Sequence, residues 1–317
     1  MQIYYFFMRK LLLLLGVLLV VVFAAFYIFI PAKIHFRKTM YIQTAPNSAA
    51  RFLLAEKEWH KWWPEKKGIK NDSLFTFKEY EYAVNWKMIS GDSVRIKTND
   101  GYIHSLLNII PINQDSTGFQ WEGESTPETN IFKRVRNYFT QRKLQDDAGE
   151  IFTALKVYQE KDENVYGINI EHKMVVDTLL ISTKKIFNTY PTTENVYEMI
   201  GALKTYISNN AVEQTNPPML HVVQDSGLFK TMVAIPINKT IPNTDKFIIK
   251  KMIAGKILIT ETKGGSANAE ATIKKVEVYM EDYHLLSPAI SFQSLVTDRS
   301  KEMDSTKWVA KIYYPIM

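Results

Sequence analysis

The 317-residue chain contains no cysteine. It therefore has no disulfide, no lipid-modified cysteine and no thiolate ligand for a metal. Its six histidines are dispersed, without an H-x-H or H-x-x-x-H pair, and so give little support for a metal site. The glycine-rich phosphate and dinucleotide motifs are absent, as is the G-x-S-x-G motif of serine hydrolases. We therefore expect no metal, no cofactor and no catalytic residue of these classes.

Charge of one sign is not concentrated in any part of the chain. The formal net charge is +6, but lysine and arginine alternate with acidic residues, and the longest basic runs are pairs such as Lys66-Lys67 and Lys250-Lys251. This distribution is typical of a solvated surface rather than of a nucleic-acid groove. We expect no nucleic-acid partner.

A long run without charge is present near the N-terminus. Leu11 to Ile30 are twenty consecutive uncharged residues, and at about 1.5 Å per helical residue they reach about 30 Å, the thickness of a bilayer's hydrocarbon core. We predict a leader and transmembrane anchor over residues 1–32. A cleaved signal peptide is the alternative, because Arg9-Lys10 and Ala24-Ala25 fit one. The apolar run is, however, longer than the roughly 7–15 residues usual for a signal.

Basic residues flank this run on both sides. Arg9 and Lys10 precede it, and three basic residues between positions 33 and 38 follow it, so the positive-inside comparison is nearly balanced. The short leader and its signal-like order of charges favour export of the C-terminal part. We expect a single-pass protein of the bacterial inner membrane that contacts the lipid bilayer through Leu11 to Ile30. Its remaining residues would then lie on the extracytoplasmic side.

The next segment has the pattern of an antiparallel sheet followed by one long helix. Strands are predicted over residues 34–42, 74–84, 93–98, 102–112 and 118–124, a short helix over 48–55, and a long amphipathic helix over 131–158. Gly149 lies within the long helix, at a cost of about 1 kcal/mol relative to alanine. Trp59, Trp62 and Trp63 form an aromatic cluster. It is interpreted as packed core, with a cavity mouth or a contact to lipid headgroups as the alternative.

This order of elements, with a Thr44-Ala45-Pro46 turn after the first strand, resembles the SRPBCC, or polyketide-cyclase-like, family. The resemblance covers Lys33 to Gln159, and we assign the domain to residues 33–162. It implies a helix-grip fold in which the long helix lies across a curled sheet and closes an apolar cavity. Members of the family bind lipids, hormones or other hydrophobic molecules, and only some are enzymes.

Residues 165–317 contain two units of the order β-α-β-β, each about seventy residues long. The first has strands over 175–187, 219–223 and 229–237 with a helix over 194–208. The second has strands over 247–262, 289–296 and 308–316 with a helix over 267–283. Their ends match best, Val233-Ala234-Ile235-Pro236-Ile237 against Ile312-Tyr313-Tyr314-Pro315-Ile316. The repeat predicts two similar halves within one domain.

Two such units, each closing with a Pro-Ile strand, resemble the GyrI-like effector-binding domain of multidrug-responsive transcription regulators. The resemblance implies a pseudo-two-fold pair of units and an aromatic cleft for flat hydrophobic molecules, which are often cationic. In that family a buried glutamate after the second helix recognises the cation, and the matching residue here is Gln293. A neutral amide can orient a ligand but cannot neutralise a cation. The glutamine at this position therefore weakens the expectation of cation recognition and of the hydrolase activity found in some relatives.

The candidate cleft residues are side chains of the paired helices and strands that face the pseudo-axis. They are Tyr197, His221, Tyr279, Tyr283, Phe292, Gln293 and Tyr313. For each of them the interpretation as a core residue is favoured, because aromatics at helical or alternating spacing are core more often than ligand contacts.

The sequence thus predicts an α+β protein with a transmembrane helix, a helix-grip domain and a tandem β-α-β-β domain. Its predicted function is to bind or sense a small hydrophobic or aromatic molecule at a membrane, without catalysis. One alternative is a cyclase- or hydrolase-type enzyme that uses tyrosine and histidine in one of the cavities. The other is a protein-interaction module of the gyrase-inhibitor type.

Overall fold

A computed structural model describes residues 2–88, 90–176 and 178–317, with side chains except at 2–6, 86 and 87. The chain is a mixed α+β protein with an apolar N-terminal helix and two antiparallel sheets. It divides into two compact units, Met1–Glu160 and Lys161–Met317. Each unit is built around one of the sheets.

Helix α1 (Gln2–Phe29) contains the predicted apolar run. Its segment Phe7–Phe29 has a mean hydropathy of 3.1, and the protein does not bury it. Among the residues that the structure describes, α1 is the one helix that is long and apolar enough to cross a membrane. A signal sequence near an N-terminus can pass the same test of length and composition.

The last turn of α1 contacts the start of a long helix, α4 (Ile131–Gln159). The buried Arg134 donates from Nη2 to the carbonyl oxygens of Tyr27, at 3.0 Å, and Ile30. Its guanidinium also lies 4.9 Å from the centre of the Tyr27 ring, whose hydroxyl donates to the Thr129 carbonyl at 3.1 Å. Carbonyl groups at a helix C-terminus lack intrahelical partners and attract a cation. These contacts join α1 directly to the folded part of the first unit.

The sheet of the first unit has seven antiparallel strands in the order β1-β7-β6-β5-β4-β3-β2. The strands are β1 (His35–Ile42), β2 (Ile69–Asn71), β3 (Leu74–Phe77), β4 (Tyr80–Met88), β5 (Gly91–Thr98), β6 (Gly101–Pro111) and β7 (Thr117–Glu124). Short helices α2 (Pro46–Leu53) and α3 (Trp59–Trp62) follow β1, and α4 packs against β1 and β7.

The predicted strand over 74–84 is two strands, because Lys78 has a φ of 51° and turns the chain between β3 and β4. The Nζ atom of Lys78 donates to Asp147 at 2.9 Å and to Glu150 at 2.7 Å, which ties this hairpin to α4. The long helix itself is continuous across Gly149. A methyl group at that position would lie 2.9 Å from Lys38 Cε, so the glycine leaves room for the lysine side chain.

Aromatic side chains fill the space between this sheet and α4. Trp59, Trp62 and Trp63 are buried, and the rings of Trp59 and Trp63 stack at 5.6 Å. Trp121 of β7 contacts Phe152 of α4 directly, with ring centres 6.0 Å apart. The interpretation of the tryptophan cluster as packed core is therefore confirmed, and the cavity-mouth and headgroup alternative is wrong. These rings occupy the region where the family resemblance implied a cavity.

The sheet of the second unit has eight antiparallel strands in the order β12-β9-β11-β10-β14-β15-β13-β8. The strands are β8 (Glu171–Met174), β9 (Leu179–Phe187), β10 (Met219–Asp225), β11 (Leu228–Pro236), β12 (Ile248–Lys251), β13 (Lys256–Lys263), β14 (Phe292–Leu295) and β15 (Val309–Ile316). The helices are α5 (Asp162–Tyr166), α6 (Thr193–Asn209) and α7 (Ser266–Asp282). The order is symmetrical about the central pair β10 and β14, which meet at Met219↔Ser294 and Leu220↔Gln293.

The strands predicted over 175–187 and 247–262 both differ from the structure. The first begins later, as β9 (Leu179–Phe187), and a separate short strand, β8, precedes it, whereas the second is divided between β12 and β13. The earlier member pairs with the other repeat, β8 with β13 and β12 with β9. Strand β14 is also shorter than the predicted 289–296. Alternation along one strand does not show which partner that strand takes.

The two faces of this sheet have different cover. One face, the helix face, packs Leu220 and Leu295 against α6, and Leu258 against α7. The other, the open face, carries a separate apolar cluster without helical residues: Leu180, Met219, Ala234, Ile257, Ile259 and Phe292. Successive strand residues alternate between these faces. Alternation therefore decides which of the candidate residues can meet.

Candidate ligand-binding site

A pocket of about 240 Å³ lies on the open face. Its apolar walls are formed by Met219, Met252, Ile257, Ile259, Phe292 and Tyr313. Residues 173–176, which include the end of β8, line it as well. A concave, mostly apolar site with few polar groups is the usual form of a small-molecule site.

Two parallel aromatic rings form one wall of the pocket. Phe292 and Tyr313 are cross-strand partners on β14 and β15, and their rings stack at 5.0 Å with only 5° between the planes. The corresponding cross-strand pair of the first repeat is Met219 and Ala234. The open face is therefore aromatic in one half and less bulky in the other.

Two lysines, Lys173 and Lys311, are the charged residues among those that line the pocket. Lys173 forms an ion pair with Glu171 at 2.6 Å, and this hydrogen bond raises the pKa of Lys173. Polar groups of this kind at an apolar pocket can orient a ligand.

His221 lies on the open face but outside the residues that line the pocket. It follows Leu220 on β10, so the two side chains point to opposite faces of the sheet. Its Nδ1–H donates to the carbonyl oxygen of Ser291 at 2.7 Å. Burial lowers the pKa of His221. This contact holds the strand β10 against the segment that leads into β14.

Gln293 and Tyr197 lie on the helix face. Because Phe292 and Gln293 are consecutive strand residues, their side chains point to opposite faces and cannot line one cleft. The Gln293 side chain is buried on the same side as Leu295, and Tyr197 packs in the α6 cluster. The Tyr197 hydroxyl accepts from the backbone N–H of Arg299 at 2.6 Å.

Tyr279 and Tyr283 belong to a third place, the contact between α5 and α7. Their rings are 4.5 Å apart, and Tyr279 also contacts Tyr166 at 5.1 Å. The Tyr279 hydroxyl lies 3.0 Å from His172 Nε2, and burial raises the pKa of Tyr279. Tyr166 donates to the buried Asp282 at 3.0 Å. These groups hold α7 in place, and none of them lines the open-face pocket.

The structure thus brings together Phe292 and Tyr313 and places the other five candidates elsewhere. Sequence reasoning did not select Met252, which directly follows β12, or Lys173 of β8; both of these strands pair with the opposite repeat. Within the described residues, no group of three His, Asp or Glu side chains could hold a metal ion.

Similarity to known proteins is confined to solved structures of low sequence identity. No protein-family model matches the chain, and no curated protein matches its sequence. Among solved structures, EcmrR in a DNA complex is 15% identical, with a TM-score of 0.42, covering 60% of this chain and 72% of that one. SAV2435 bound to tetraphenylphosphonium is 11% identical, with a TM-score of 0.33, covering 47% and 94%. A START superfamily protein from Mycobacterium smegmatis is 15% identical, with a TM-score of 0.27, covering 40% and 97%.

Proposed function

We propose that the second unit binds a small, flat, largely apolar molecule in the open-face pocket, and that α1 anchors the chain to a membrane. The observation that best supports this proposal is the Phe292–Tyr313 pair, whose parallel rings form a wall of a partly enclosed apolar pocket. An aromatic ligand can stack on such a wall in the offset arrangement that aromatic pairs prefer. Met252 also lines the pocket, and its flexible side chain can adapt to the ligand's outline.

The pocket volume sets the ligand size. Sites for drug-sized molecules have volumes of roughly 300–1,000 Å³, and this pocket has about 240 Å³. A molecule of one or two fused rings therefore fits better than a lipid or a long hydrocarbon chain. The lysines among the lining residues can donate to a single polar substituent.

We also propose the domain organisation of the chain. Residues 33–162 form an SRPBCC-like helix-grip domain, which is supported by the way α4 packs on the seven-stranded sheet. Residues 165–317 form a tandem GyrI-like domain, which is supported by the symmetrical order of the eight strands. Residues 1–32 form a leader and anchor in the inner membrane of a bacterium. The rest of the chain then lies on the extracytoplasmic side and acts by binding rather than by catalysis.

The test uses two neighbouring tyrosines that point to opposite faces. Tyr313 lines the pocket, whereas Tyr314 packs in the α7 cluster. The full chain in detergent micelles is dialysed to equilibrium with 2-naphthol, with empty micelles as the reference. We expect Tyr313→Leu to weaken binding about threefold to tenfold, the value of one aromatic contact, and Tyr314→Leu to leave it unchanged. No binding by the unaltered chain, or equal losses in both variants, would contradict the proposal.

A further inference from the structure

Arg299 is the only arginine after residue 142 in the sequence. It is 8% exposed, and its Nε and Nη2 atoms are buried without a hydrogen-bond partner. In the described part of the chain, no aspartate or glutamate forms an ion pair with it. A buried charge is costly unless it is paired, so a bound anion would stabilise this guanidinium.

The two unpartnered atoms define the shape of what could fill it. The Nε–H and Nη2–H bonds of arginine point in the same direction along one edge of the planar guanidinium. This fork donates two parallel hydrogen bonds to the two oxygens of a carboxylate.

The surroundings hold Arg299 in place without using this fork. Its backbone N–H donates to the Tyr197 hydroxyl, and its guanidinium lies 4.9 Å from the ring centre of Trp308. The neighbouring carboxylate of Asp298 accepts from the Ser300 hydroxyl at 2.6 Å. These contacts leave the buried Nε and Nη2 atoms of Arg299 without a protein partner.

A second buried polar atom without a partner lies in the same neighbourhood. It is Oε1 of Gln293, a residue that is 5% exposed. Burial and then the charge of Glu270 raise the pKa of Tyr190, whereas Arg299 and a hydrogen bond with Gln293 lower it. The Tyr190 hydroxyl thus lies near both Gln293 and Arg299.

Arg299 lines an open groove of about 710 Å³ beside the first turns of α6, while its Nε and Nη2 atoms lie buried behind the groove surface. Tyr197, Ser300 and Met303 line the groove with Arg299, and so do Glu194 and Glu198. The two glutamates disfavour a ligand with several negative charges. One unpaired positive charge matches one negative charge, which selects a monoanion.

We propose that this is a second ligand site, which takes a small organic carboxylate. The carboxylate oxygens accept from Nε–H and Nη2–H of Arg299, and Gln293 Oε1 accepts from a donor group on the ligand. The site is separate from the open-face pocket, because Gln293 and Phe292 point to opposite sides of β14. Its occupancy does not depend on a ligand bound next to Phe292.

The experiment uses three planar probes of the same size and different charge: benzoate, benzamide and benzamidinium. The full chain, labelled with ¹⁵N-arginine in detergent micelles, is titrated with each, and the arginine Nε–H signals are followed by NMR. The Arg299 signal is the one missing from Arg299→Lys. We expect benzoate to shift this signal in a saturable way, and benzamide and benzamidinium to leave it in place. An Arg299 signal that benzoate does not move, or that all three probes move alike, would overturn the proposal.

Two variants separate the fork from the charge. Arg299→Lys keeps the positive charge but loses the paired donors, and we expect it to weaken benzoate binding by about tenfold or more. Lys301→Gln removes a neighbouring exposed charge and is expected to bind benzoate as the unaltered chain does. Equal affinity of Arg299→Lys and the unaltered chain would overturn the proposal. The Nε–H titration is read on the unaltered chain, and Arg299→Gln supplies the assignment if Arg299→Lys misfolds. The 2-naphthol experiment with Tyr313→Leu reports on the other face and fails or succeeds independently.

Discussion

Replacement of Trp59 by alanine tests whether the first unit is packed or hollow. Trp59 is fully buried, and its ring contacts Trp62 at 5.0 Å and Phe75 at 5.3 Å besides the stack with Trp63. Its indole N–H donates to the Leu53 carbonyl at 2.8 Å. If these rings form a solid core, truncation leaves a cavity that the neighbours cannot fill.

The cost follows from these contacts. Truncation of a buried tryptophan to alanine costs about 3–5 kcal/mol in lost transfer and cavity energy, and the loss of the donor to Leu53 adds about 1 kcal/mol. We therefore expect Trp59→Ala to lower the free energy of unfolding by about 4–6 kcal/mol, a large part of the roughly 5–15 kcal/mol of an ordinary domain. Tyr41→Ala is the matched control, because that ring is 65% exposed; we expect it to cost less than about 0.5 kcal/mol.

Urea unfolding in mild detergent measures this cost. Tryptophan fluorescence reports mainly on the first unit, because five of the six tryptophans precede residue 161. A loss below about 1 kcal/mol for Trp59→Ala would refute the reasoning, since a ring that lines an open cavity can be truncated cheaply. A similar loss in Tyr41→Ala would show that the assay does not resolve burial.

Two further predictions concern single positions. Gly201 in α6 has no atom within 4 Å of an added Cβ, whereas Gly149 in α4 faces Lys38. We expect Gly201→Ala to raise the free energy of unfolding by about 1 kcal/mol and Gly149→Ala to raise it by less, as measured by urea unfolding. Equal gains would show that Lys38 moves without cost. Burial lowers the pKa of His221, so the folded state binds a proton more weakly than the unfolded state, whose pKa is near 6.5. The stability that His221 contributes is therefore complete above that pH and is lost as the pH falls through it. Between pH 8 and about pH 5, the melting temperature should fall less in His221→Phe than in the unaltered chain. Parallel falls in the two proteins would contradict this role of His221.

Much of the local structure could be predicted because burial fixes the spacing of apolar residues. The periodicity over 131–158 predicted α4, which runs Ile131–Gln159, and the alternation over 34–42 predicted β1, which runs His35–Ile42. The pattern failed where strands divide. Lys78 adopts a left-handed backbone conformation with no glycine or asparagine to signal it. The crossings of β8 and β12 to the other repeat depend on long-range pairing, which leaves no local pattern.

The candidate sites were predictable only in part. Aromatic residues on the last strands pointed to Phe292 and Tyr313, which do line one pocket. The same reasoning grouped Gln293 with them, although strand alternation separates it from Phe292. Arg299 lies between β14 and β15, in a loop without periodic spacing, so no sequence pattern marked it. Its isolation as the sole arginine of the second unit was the one available signal.

Native mass spectrometry tests the central claim most directly. The full chain is purified in mild detergent from the cells that produce it and weighed as the unaltered protein, Tyr313→Leu and Tyr314→Leu. We predict a bound molecule of the mass of a one- or two-ring compound on the unaltered protein and on Tyr314→Leu, with reduced occupancy on Tyr313→Leu. Retention of the same molecule at equal occupancy in Tyr313→Leu, or an unaltered protein that carries none and takes up no added 2-naphthol, would contradict it.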